Sequence, residues 1–196
     1  MQIFNVGNNA VNIYLLDSNS HRLLVDTGFP DTLFDLAREM RKTGFKLKDI
    51  DYFLVTHFHP DHAGAIQELK EYGAKFLLFD IQVKHIDTME KLVEKKWRYK
   101  KLQKKDNIIL SIAHSGEFLL NLGMPAQVLS TPGHSDDSIS LLLDTGEAFT
   151  GDLVSENLIM DKNDLTISSW IKLKEKKARM IYPGHGNPYE ISRSNF

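Results

Sequence analysis

Residues 56–64 of the chain read Thr56-His57-Phe58-His59-Pro60-Asp61-His62-Ala63-Gly64. A short apolar run comes directly before them and predicts a strand. His57 and His59 alternate in extended backbone, so both rings leave the same side of the chain. Pro60 then turns the chain, and Asp61 and His62 begin a predicted helix. Four side chains that can bind a metal ion therefore fan out from the end of one strand.

The chemistry of these side chains indicates the kind of metal. Imidazole and carboxylate groups suit zinc, iron or manganese. The chain has no cysteine, which excludes both thiolate ligands and disulfide bonds. The alternative is a turn with unrelated surface histidines, and three histidines and one aspartate within six residues argue against it.

Three more candidate ligands stand next to glycine, each after a predicted strand. They are His134 in Pro132-Gly133-His134, Asp152 in Gly151-Asp152 and His185 in Gly184-His185-Gly186. Small neighbours let the backbone come close to a crowded site. Each of these dipeptides alone is typical of a plain turn, but their order behind the first motif favours one common site. We interpret the remaining histidines as structural or surface residues, namely His21, His85 and His114.

Apolar periodicity predicts alternating strands and helices. The predicted strands cover residues 2–6, 11–17, 22–26, 51–56, 75–79, 108–112, 117–120, 126–131, 138–143, 147–150 and 178–182. The predicted helices cover residues 31–42, 62–72 and 164–177. Because the strands come in groups separated by single helices, a core of two sheets with helices outside is favoured over one parallel sheet.

One segment, residues 84–106, is dense in basic side chains. Met89, Leu92, Val93 and Trp97 fall on one face of a predicted amphipathic helix. The basic residues are Lys84, Lys91, Lys95, Lys96, Arg98, Lys100, Lys101, Lys104 and Lys105, and the acidic ones are Asp87, Glu90, Glu94 and Asp106. This excess of positive charge, in a chain of net charge -2, has two interpretations. The segment is either a solvated helix surface or a helical lid over the metal cleft that attracts an anionic substrate.

Length and charge limit the other classes of function. A chain of 196 residues suits a single domain over residues 1–196. The net charge gives no reason to expect nucleic acid or an anionic membrane as the general partner, which leaves a small-molecule substrate open. The first residues lack the pattern of a signal peptide, and no apolar run approaches the roughly 20 residues of a membrane span. The expected location is the cytoplasm.

From Val25-Asp26-Thr27-Gly28 to His185, the chain resembles the metallo-β-lactamase superfamily. The resemblance implies a four-layer αββα sandwich, with two mixed sheets, helices on their outer faces and metals between the sheets at one edge. It implies one metal held by His57, His59 and His134, and a second held by Asp61, His62 and His185, with Asp152 bridging both. It also implies that Asp26 accepts a hydrogen bond from a ligand histidine and fixes its orientation.

The implied reaction is hydrolysis by two divalent ions, with zinc expected and iron or manganese as alternatives. Metal binding lowers the pKa of water from 15.7 to roughly 7, so a metal-bridging hydroxide is available at neutral pH. Asp61 and Asp152 are the expected catalytic residues, and Asp61 or the second metal would assist the leaving group. The sequence offers no serine nucleophile elbow and no Walker-type phosphate loop.

Comparison with the subfamilies of the superfamily limits the class of substrate that is expected. The motifs are closest to those of glyoxalase II-like hydrolases, although only eleven residues follow His185, where glyoxalase II adds a glutathione-binding domain. Lactonases of the superfamily carry a tyrosine where this chain has Ser155. β-Lactamases do not use a bridging aspartate, and flavodiiron proteins replace the second histidine with glutamate. A small ester, thioester or lactone is therefore the expected substrate.

Three alternatives stay open. The first is a phosphodiesterase that uses the same two metals. The second is an oxygenase resembling the persulfide dioxygenases, which bind a single iron, and the complete second set of ligands argues against it. The third is a metalloprotein without catalytic activity, although none of the motifs is degraded.

Overall fold

A computed structural model of the chain describes residues 1–8, 10–159 and 165–192, and the strands within them form two sheets. In chain order, the six strands of the first sheet are β1 Gln2–Asn5, β2 Tyr14–Asp17, β3 Arg22–Val25, β4 Tyr52–Leu54, β5 Lys75–Phe79 and β6 Ile108–Leu110. The five strands of the second are β7 Ala126–Ser130, β8 Ile139–Leu143, β9 Glu147–Gly151, β10 Met180–Pro183 and β11 Tyr189–Glu190.

Both sheets are mixed. In the first, β1, β2 and β3 are successively antiparallel, and β3, β4, β5 and β6 are successively parallel. In the second, β8 lies antiparallel between β7 and β9, while β10 is parallel to β9 and antiparallel to β11. The parallel pairs are the ones that follow helical connections, as crossover geometry requires.

Most of the helices lie on the outer faces of the two sheets. The helices are α1 Leu33–Lys42, α2 Pro60–Ala63, α3 Ile66–Glu71, α4 Ile86–Val93, α5 Ser115–Asn121 and α6 Leu165–Glu175. Buried side chains of α1, α3 and α4 pack on the first sheet, whereas Trp170 and Leu173 of α6 pack on the second. None of the helices in the described part of the chain combines the length and hydropathy that crossing a bilayer requires.

Strand β5 shows how the sequence builds the layers. Phe76 and Leu78 point to the helices, while Leu77 and Phe79 point to the second sheet, because successive side chains of a strand alternate between faces. All four are essentially buried, and burying a side chain of this size stabilises the fold by about 1.5–3 kcal/mol. The predicted αββα sandwich is thus confirmed, and the single-domain assignment stays a prediction.

Several predicted elements were wrong in type or extent. The strand predicted at residues 117–120 is the helix α5, in which Leu119 is buried between the sheets and Leu120 is 62% exposed. A short apolar run does not by itself distinguish a strand from a buried helix. The helix predicted at 62–72 is divided between α2 and α3. The last helix begins at Leu165 among the described residues, and residue 164, its predicted start, lies outside them.

Only the first part of the basic segment 84–106 is helical. Helix α4 ends at Val93, which is buried with Met89, whereas Leu92 is 52% exposed instead of joining the apolar face. The chain then returns along the helical layer without regular structure. Glu90, buried in α4, accepts hydrogen bonds from the Leu102 N–H (2.9 Å) and the Tyr99 hydroxyl (3.2 Å).

Helix α3 also forms hydrogen bonds to the backbone of the basic segment after α4. Lys70 donates to the carbonyl oxygens of Gln103 (2.7 Å) and Lys105 (2.9 Å), and Gln67 accepts from the Gln103 N–H (2.9 Å). The segment is therefore attached to the outer helical layer along its second half. Its role as a lid stays a prediction.

Candidate metal centre

Five strands end at one edge of the sandwich and place Asp26 and most of the candidate ligands there. Asp26 follows β3, His57 follows β4, Asp152 follows β9 and His185 lies two residues after β10. These strands run in parallel pairs within their sheets, and β7 has the direction of β9 because β8 is antiparallel to both. The loop after β7, which contains His134, therefore reaches the same edge.

A backbone hydrogen bond joins the two sheets at this edge. The N–H of Ile139, at the start of β8, donates to the carbonyl oxygen of Thr56 at 2.8 Å. Close by, the buried carboxylate of Asp137 accepts from the N–H of Phe58 at 2.7 Å. The turn that carries His57 and His59 is thus tied to the second sheet at two points.

The first ligand group consists of His57, His59 and His134, whose nearest ring nitrogens lie within 4.8 Å of one another. The Nε2 atom of His134 lies 2.9 Å from Nδ1 of His59. The His57 ring centroid is 4.5 Å from that of His59 and 4.8 Å from that of His134. Three imidazoles that converge in this way could hold one metal ion.

The second group consists of Asp61, His62, Asp152 and His185. The Nε2 atom of His62 lies 3.4 Å from Oδ2 of Asp61, and Nε2 of His185 lies 3.2 Å from that same oxygen. Two carboxylates and two imidazoles here face a common centre, and they could hold a second ion. The structure thus brings together all seven ligands predicted from the sequence.

Asp152 lies between the two groups and turns one oxygen toward each. Its Oδ1 is 3.3 Å from Nε2 of His62 and 3.4 Å from Nε2 of His185. Its Oδ2 is 3.5 Å from Nε2 of His134 and 4.0 Å from Nε2 of His57. A carboxylate with its two oxygens divided in this way can join two cations.

Asp26 supports the second group from behind. Its Oδ2 lies 2.8 Å from Nδ1 of His62, and its Oδ1 accepts from the N–H (2.7 Å) and the hydroxyl (3.0 Å) of Thr56. The backbone of Asp26 has φ of +68°, a left-handed conformation that aspartate tolerates better than most residues. Asp26 therefore has the place expected of a residue that orients a ligand histidine.

The absence of a side chain at Gly184 makes room for the cluster. A Cβ atom at this position would lie 2.5 Å from Oδ1 of Asp152 and 2.6 Å from Cε1 of His62. Both distances are shorter than van der Waals contact, so any larger residue would displace a candidate ligand. The glycine beside His185, noted in the sequence as a small neighbour, is required by this close approach.

Burial and charge set the protonation of the two buried histidines in opposite directions. Burial, followed by the neighbouring histidines, holds the pKa of His57 well below its usual value, so the ring is neutral. Burial also acts to lower the pKa of His62, but Asp26, Asp152 and Asp61 together raise it well above its usual value. The first ring is thus ready to bind a cation, and the second must release a proton to do so.

The two carboxylates of the site are held in their charged form. Burial acts to raise the pKa of Asp61, but the adjacent His62 and then His185 lower it to about 2. For Asp152, burial is likewise outweighed by His62, His185 and His134, and its pKa is lowered. Each side chain can therefore serve as an anionic ligand at neutral pH.

Three buried polar atoms test whether the site fits metal ions. Nε2 of His57, Nε2 of His62 and Oδ1 of Asp152 have no hydrogen-bond partner among the described residues. Each such atom would cost about 1–3 kcal/mol if left unsatisfied. They face the centres of the two groups, where a divalent ion would satisfy them, so the residues present fit metal ions.

Helix α6 supports the loops of the second sheet. Ser169 donates to the carbonyl oxygen of Pro132 (2.6 Å), two residues before His134. The Trp170 indole donates to the carbonyl oxygen of Val154 (2.9 Å), two residues after Asp152. These contacts were not predicted, because nothing in the pattern of an apolar helix shows which carbonyl its polar atoms reach.

The remaining histidines lie outside both groups, as predicted. Nδ1 of His21 lies 3.1 Å from the carbonyl oxygen of Leu122, and Nδ1 of His114 lies 2.8 Å from the Ser111 hydroxyl. His85 is half-buried, with Nδ1 3.9 Å from a carboxylate oxygen of Asp137. Asp137 was not predicted, although it lies only three residues after His134.

One contact brings the basic segment toward the site. The ring of Trp97 lies 5.9 Å from that of Phe29, which is three residues after Asp26. Lys95, Lys96 and Arg98 flank this tryptophan in the sequence, and the Lys96 ammonium lies 5.8 Å from its ring. A basic, partly aromatic surface therefore begins at the loop that follows Asp26.

Comparison with known proteins agrees with this architecture. A beta-lactamase-like protein 2 homolog of Drosophila melanogaster is 31% identical over 186 residues, which cover 92% of this chain and 60% of that protein. An atrochrysone carboxyl ACP thioesterase of Aspergillus fumigatus is 28% identical, over 90% of this chain and 51% of that protein. The chain thus spans little more than half the length of these curated relatives.

A solved structure and a family model extend the comparison. A protein crystallised in a di-iron-bound form superposes with a TM-score of 0.71 at 21% identity, covering 97% of this chain and 94% of that one, which shows a shared fold. The sequence model described as the metallo-beta-lactamase superfamily matches residues 6–185. Because this match extends over most of the chain, the chain belongs to the metallo-beta-lactamase superfamily.

Proposed function

We propose that the protein is a dinuclear metal-dependent hydrolase. The observation that carries this proposal is the position of Asp152, whose Oδ1 faces His62 and His185 and whose Oδ2 faces His134 and His57. A mononuclear site would need only one of these oxygens. The complete second group therefore favours two metals over the single iron of an oxygenase.

The proposed ligands follow the two groups. His57, His59 and His134 would hold one ion, Asp61, His62 and His185 the other, and Asp152 both. The donor set of nitrogen and oxygen suits zinc, which we propose, and also iron or manganese. When bound, two such ions supply a hydroxide nucleophile at neutral pH and polarise the scissile carbonyl oxygen.

The side chains of the site would balance the charge of the metals and transfer protons. Asp152 would fix the distance between the two ligand groups, and it contributes negative charge to both. The lowered pKa of Asp61 keeps its carboxylate unprotonated at neutral pH. Asp61 would therefore act as a relay, passing to the leaving group the proton that the hydroxide gives up after it has added to the carbonyl carbon. The side chains of His134 and His185 are 28% and 45% exposed, so a substrate could approach the site beside them.

We propose a small ester, thioester or lactone as the substrate. A thioester receives support from the fungal relative named as an acyl-carrier-protein thioesterase. An anionic substrate is supported by Lys95, Lys96 and Arg98, which flank the tryptophan that contacts Phe29. The likeness to glyoxalase II concerns the motifs alone, and the location in the cytoplasm stays a prediction.

The test uses purified protein with its metal content measured. It is assayed with thioesters, esters, lactones, β-lactams and phosphodiesters, before and after chelation and reloading with zinc, iron or manganese. We expect about two metal equivalents per chain and metal-dependent cleavage of a carbonyl substrate. One equivalent in fully loaded protein would contradict the dinuclear site. Cleavage confined to phosphodiesters would contradict the proposed substrate class.

A further inference from the structure

The loop that presents His185 has little side-chain packing of its own. The His185 side chain is 45% exposed, whereas those of His57 and His62 are 1% and 0% exposed. The two buried rings are held by the core around them. The position of His185 must instead come from the backbone of residues 183–186, which begins at the last residue of β10.

Asn12, in the segment before β2, contacts that backbone at three carbonyl groups. Its backbone N–H donates to the oxygen of Gly184 at 2.7 Å. Its side-chain amide donates to the oxygens of Pro183 (2.9 Å) and Gly186 (2.8 Å). Both N–H bonds of the amide are used, and the two carbonyls they reach lie on either side of His185.

The Asn5 side chain fixes the direction of this amide, and Tyr14 supports the same loop. The Asn5 side chain donates to Oδ1 of Asn12 at 2.8 Å, so the carbonyl end of the amide faces Asn5. The reverse orientation would place that oxygen against the carbonyls of Pro183 and Gly186. The Tyr14 hydroxyl donates to the same Pro183 oxygen at 2.9 Å. Asn12 is only 8% exposed, so water does not replace these bonds without cost.

We propose that Asn12 is a positioning residue for the second metal: it sets the place of His185 without contacting the metal. This inference rests on the proposed function, in which His185 is a ligand of that metal. Hydrogen bonds that orient a ligand typically change metal affinity by 10–100-fold when they are lost. The turn that carries His57 and His59 is tied to the second sheet through Thr56 and Phe58, and the hydrogen bonds of Asn12 reach none of the first group.

The test is a zinc titration of metal-free protein against a chromophoric chelator. For Asn12→Ala, we expect the second equivalent to bind about 10–100-fold more weakly and the first to bind within twofold of wild type. Tyr14→Phe keeps the ring and removes one of the bonds to Pro183, so a smaller loss in the second equivalent is expected. Asn107→Ala, at the Lys70 contact of the basic segment, serves as the control and should change neither equivalent.

A readout without metal separates this inference from the proposed function. Amide hydrogen exchange of the metal-free variant should be faster in residues 184–187 and unchanged in residues 54–59. Unchanged exchange in 184–187, or equal weakening of both zinc equivalents, would overturn the role of Asn12. If wild-type protein binds only one zinc, the dinuclear function fails, and the exchange measurement still decides whether Asn12 holds the loop. If Asn12→Ala does not fold, Tyr14→Phe and Asn5→Ala are measured in the same way. Faster exchange in the His185 loop with weaker binding of the second zinc alone would support the role of Asn12, and the absence of either change would overturn it.

Discussion

The imidazole of His62 connects Asp26 to the carboxylates of the second ligand group. Nδ1 lies 2.8 Å from Oδ2 of Asp26, while Nε2 lies 3.3 Å from Asp152 and 3.4 Å from Asp61. Asp26 therefore fixes the tautomer in which Nδ1 carries hydrogen and Nε2 offers its lone pair to a metal. In the metal-free protein the same three carboxylates favour a second proton on this ring.

The raised pKa of His62 predicts proton release on metal binding. Below that pKa the ring is protonated at both nitrogens, so a metal must displace the Nε2 proton, and affinity weakens as pH falls. Displacing one proton makes the zinc affinity rise about tenfold for each pH unit in the neutral range. This rise should stop once the pH exceeds the pKa of His62, because the ring has then already lost the proton. Calorimetric titrations in two buffers of different ionisation enthalpy measure the protons released. A measured release of no protons at pH 7 would contradict the prediction.

Asp26→Asn should reduce this proton release, because it removes the charge that contributes most to raising the His62 pKa. The variant should also bind the second metal about 10–100-fold more weakly, since the amide has a single acceptor oxygen in place of the two that face Thr56 and His62. The same buffer-pair calorimetry measures both effects. A variant that released as many protons as wild type would show that Asp26 does not control the ring.

Asp152→Ala should lower activity more than Asp26→Ala does. Asp152 faces both ligand groups, and its loss removes negative charge from both centres at once. Asp26 orients one histidine only, so its effect is expected within 10–100-fold. Metal content and kcat/KM of the two alanine variants, measured together, test the order. The reverse order would mean that the roles assigned to these aspartates are wrong.

Gly184→Ala should weaken metal binding for steric reasons. The added methyl group would lie 2.5 Å from Oδ1 of Asp152 and 2.6 Å from Cε1 of His62. Gly116→Ala in α5 is the matched control, because its Cβ would meet nothing closer than 3.7 Å. The control should keep its metal affinity and gain up to about 1 kcal/mol of stability from helix propensity. Zinc titration and thermal unfolding of both variants provide the comparison, and equal metal affinity in the two would contradict it.

The basic segment predicts a salt-dependent effect that differs between two pairs of lysines. Lys100 pairs with Glu71 at 2.5 Å, and Lys101 lies 3.6 Å from Glu90, so their charge is partly balanced. Lys95 and Lys96 flank Trp97 and form no ion pair among the described residues. If the segment attracts an anionic substrate, neutralising Lys95 and Lys96 should lower kcat/KM, and the loss should shrink as salt rises.

The double variant Lys95→Gln, Lys96→Gln is therefore compared with Lys100→Gln, Lys101→Gln at low and moderate salt, on an anionic and a neutral substrate. The first should be slower on the anionic substrate only. Equal rates for the first variant and wild type at low salt would favour the alternative interpretation, in which the segment is a solvated surface.

Local patterns predicted the layers and the candidate ligands because both depend on short-range rules. Alternation in β5 assigns Leu77 and Phe79 to one face, and glycine beside His185 marks a close approach. Other features depend on contacts between distant parts of the chain. The amide of Asn12 and the carboxylate of Asp137 reach residues that no sequence spacing identifies. The helix α5 was missed because Phe118, Leu119 and Leu120 suit a strand equally well.

Because the Thr56–Ile139 hydrogen bond joins the turn of the first motif to the second sheet, the site is not complete until both sheets have been synthesised. His57 leaves the ribosome long before His185, and the β8 strand that pairs with this edge is made between them. A nascent chain that has just produced the first motif offers histidines and a carboxylate without the second sheet to hold them. We therefore expect metal loading to follow the emergence of His185. Metal captured earlier would be bound weakly and exchanged freely with the surrounding pool.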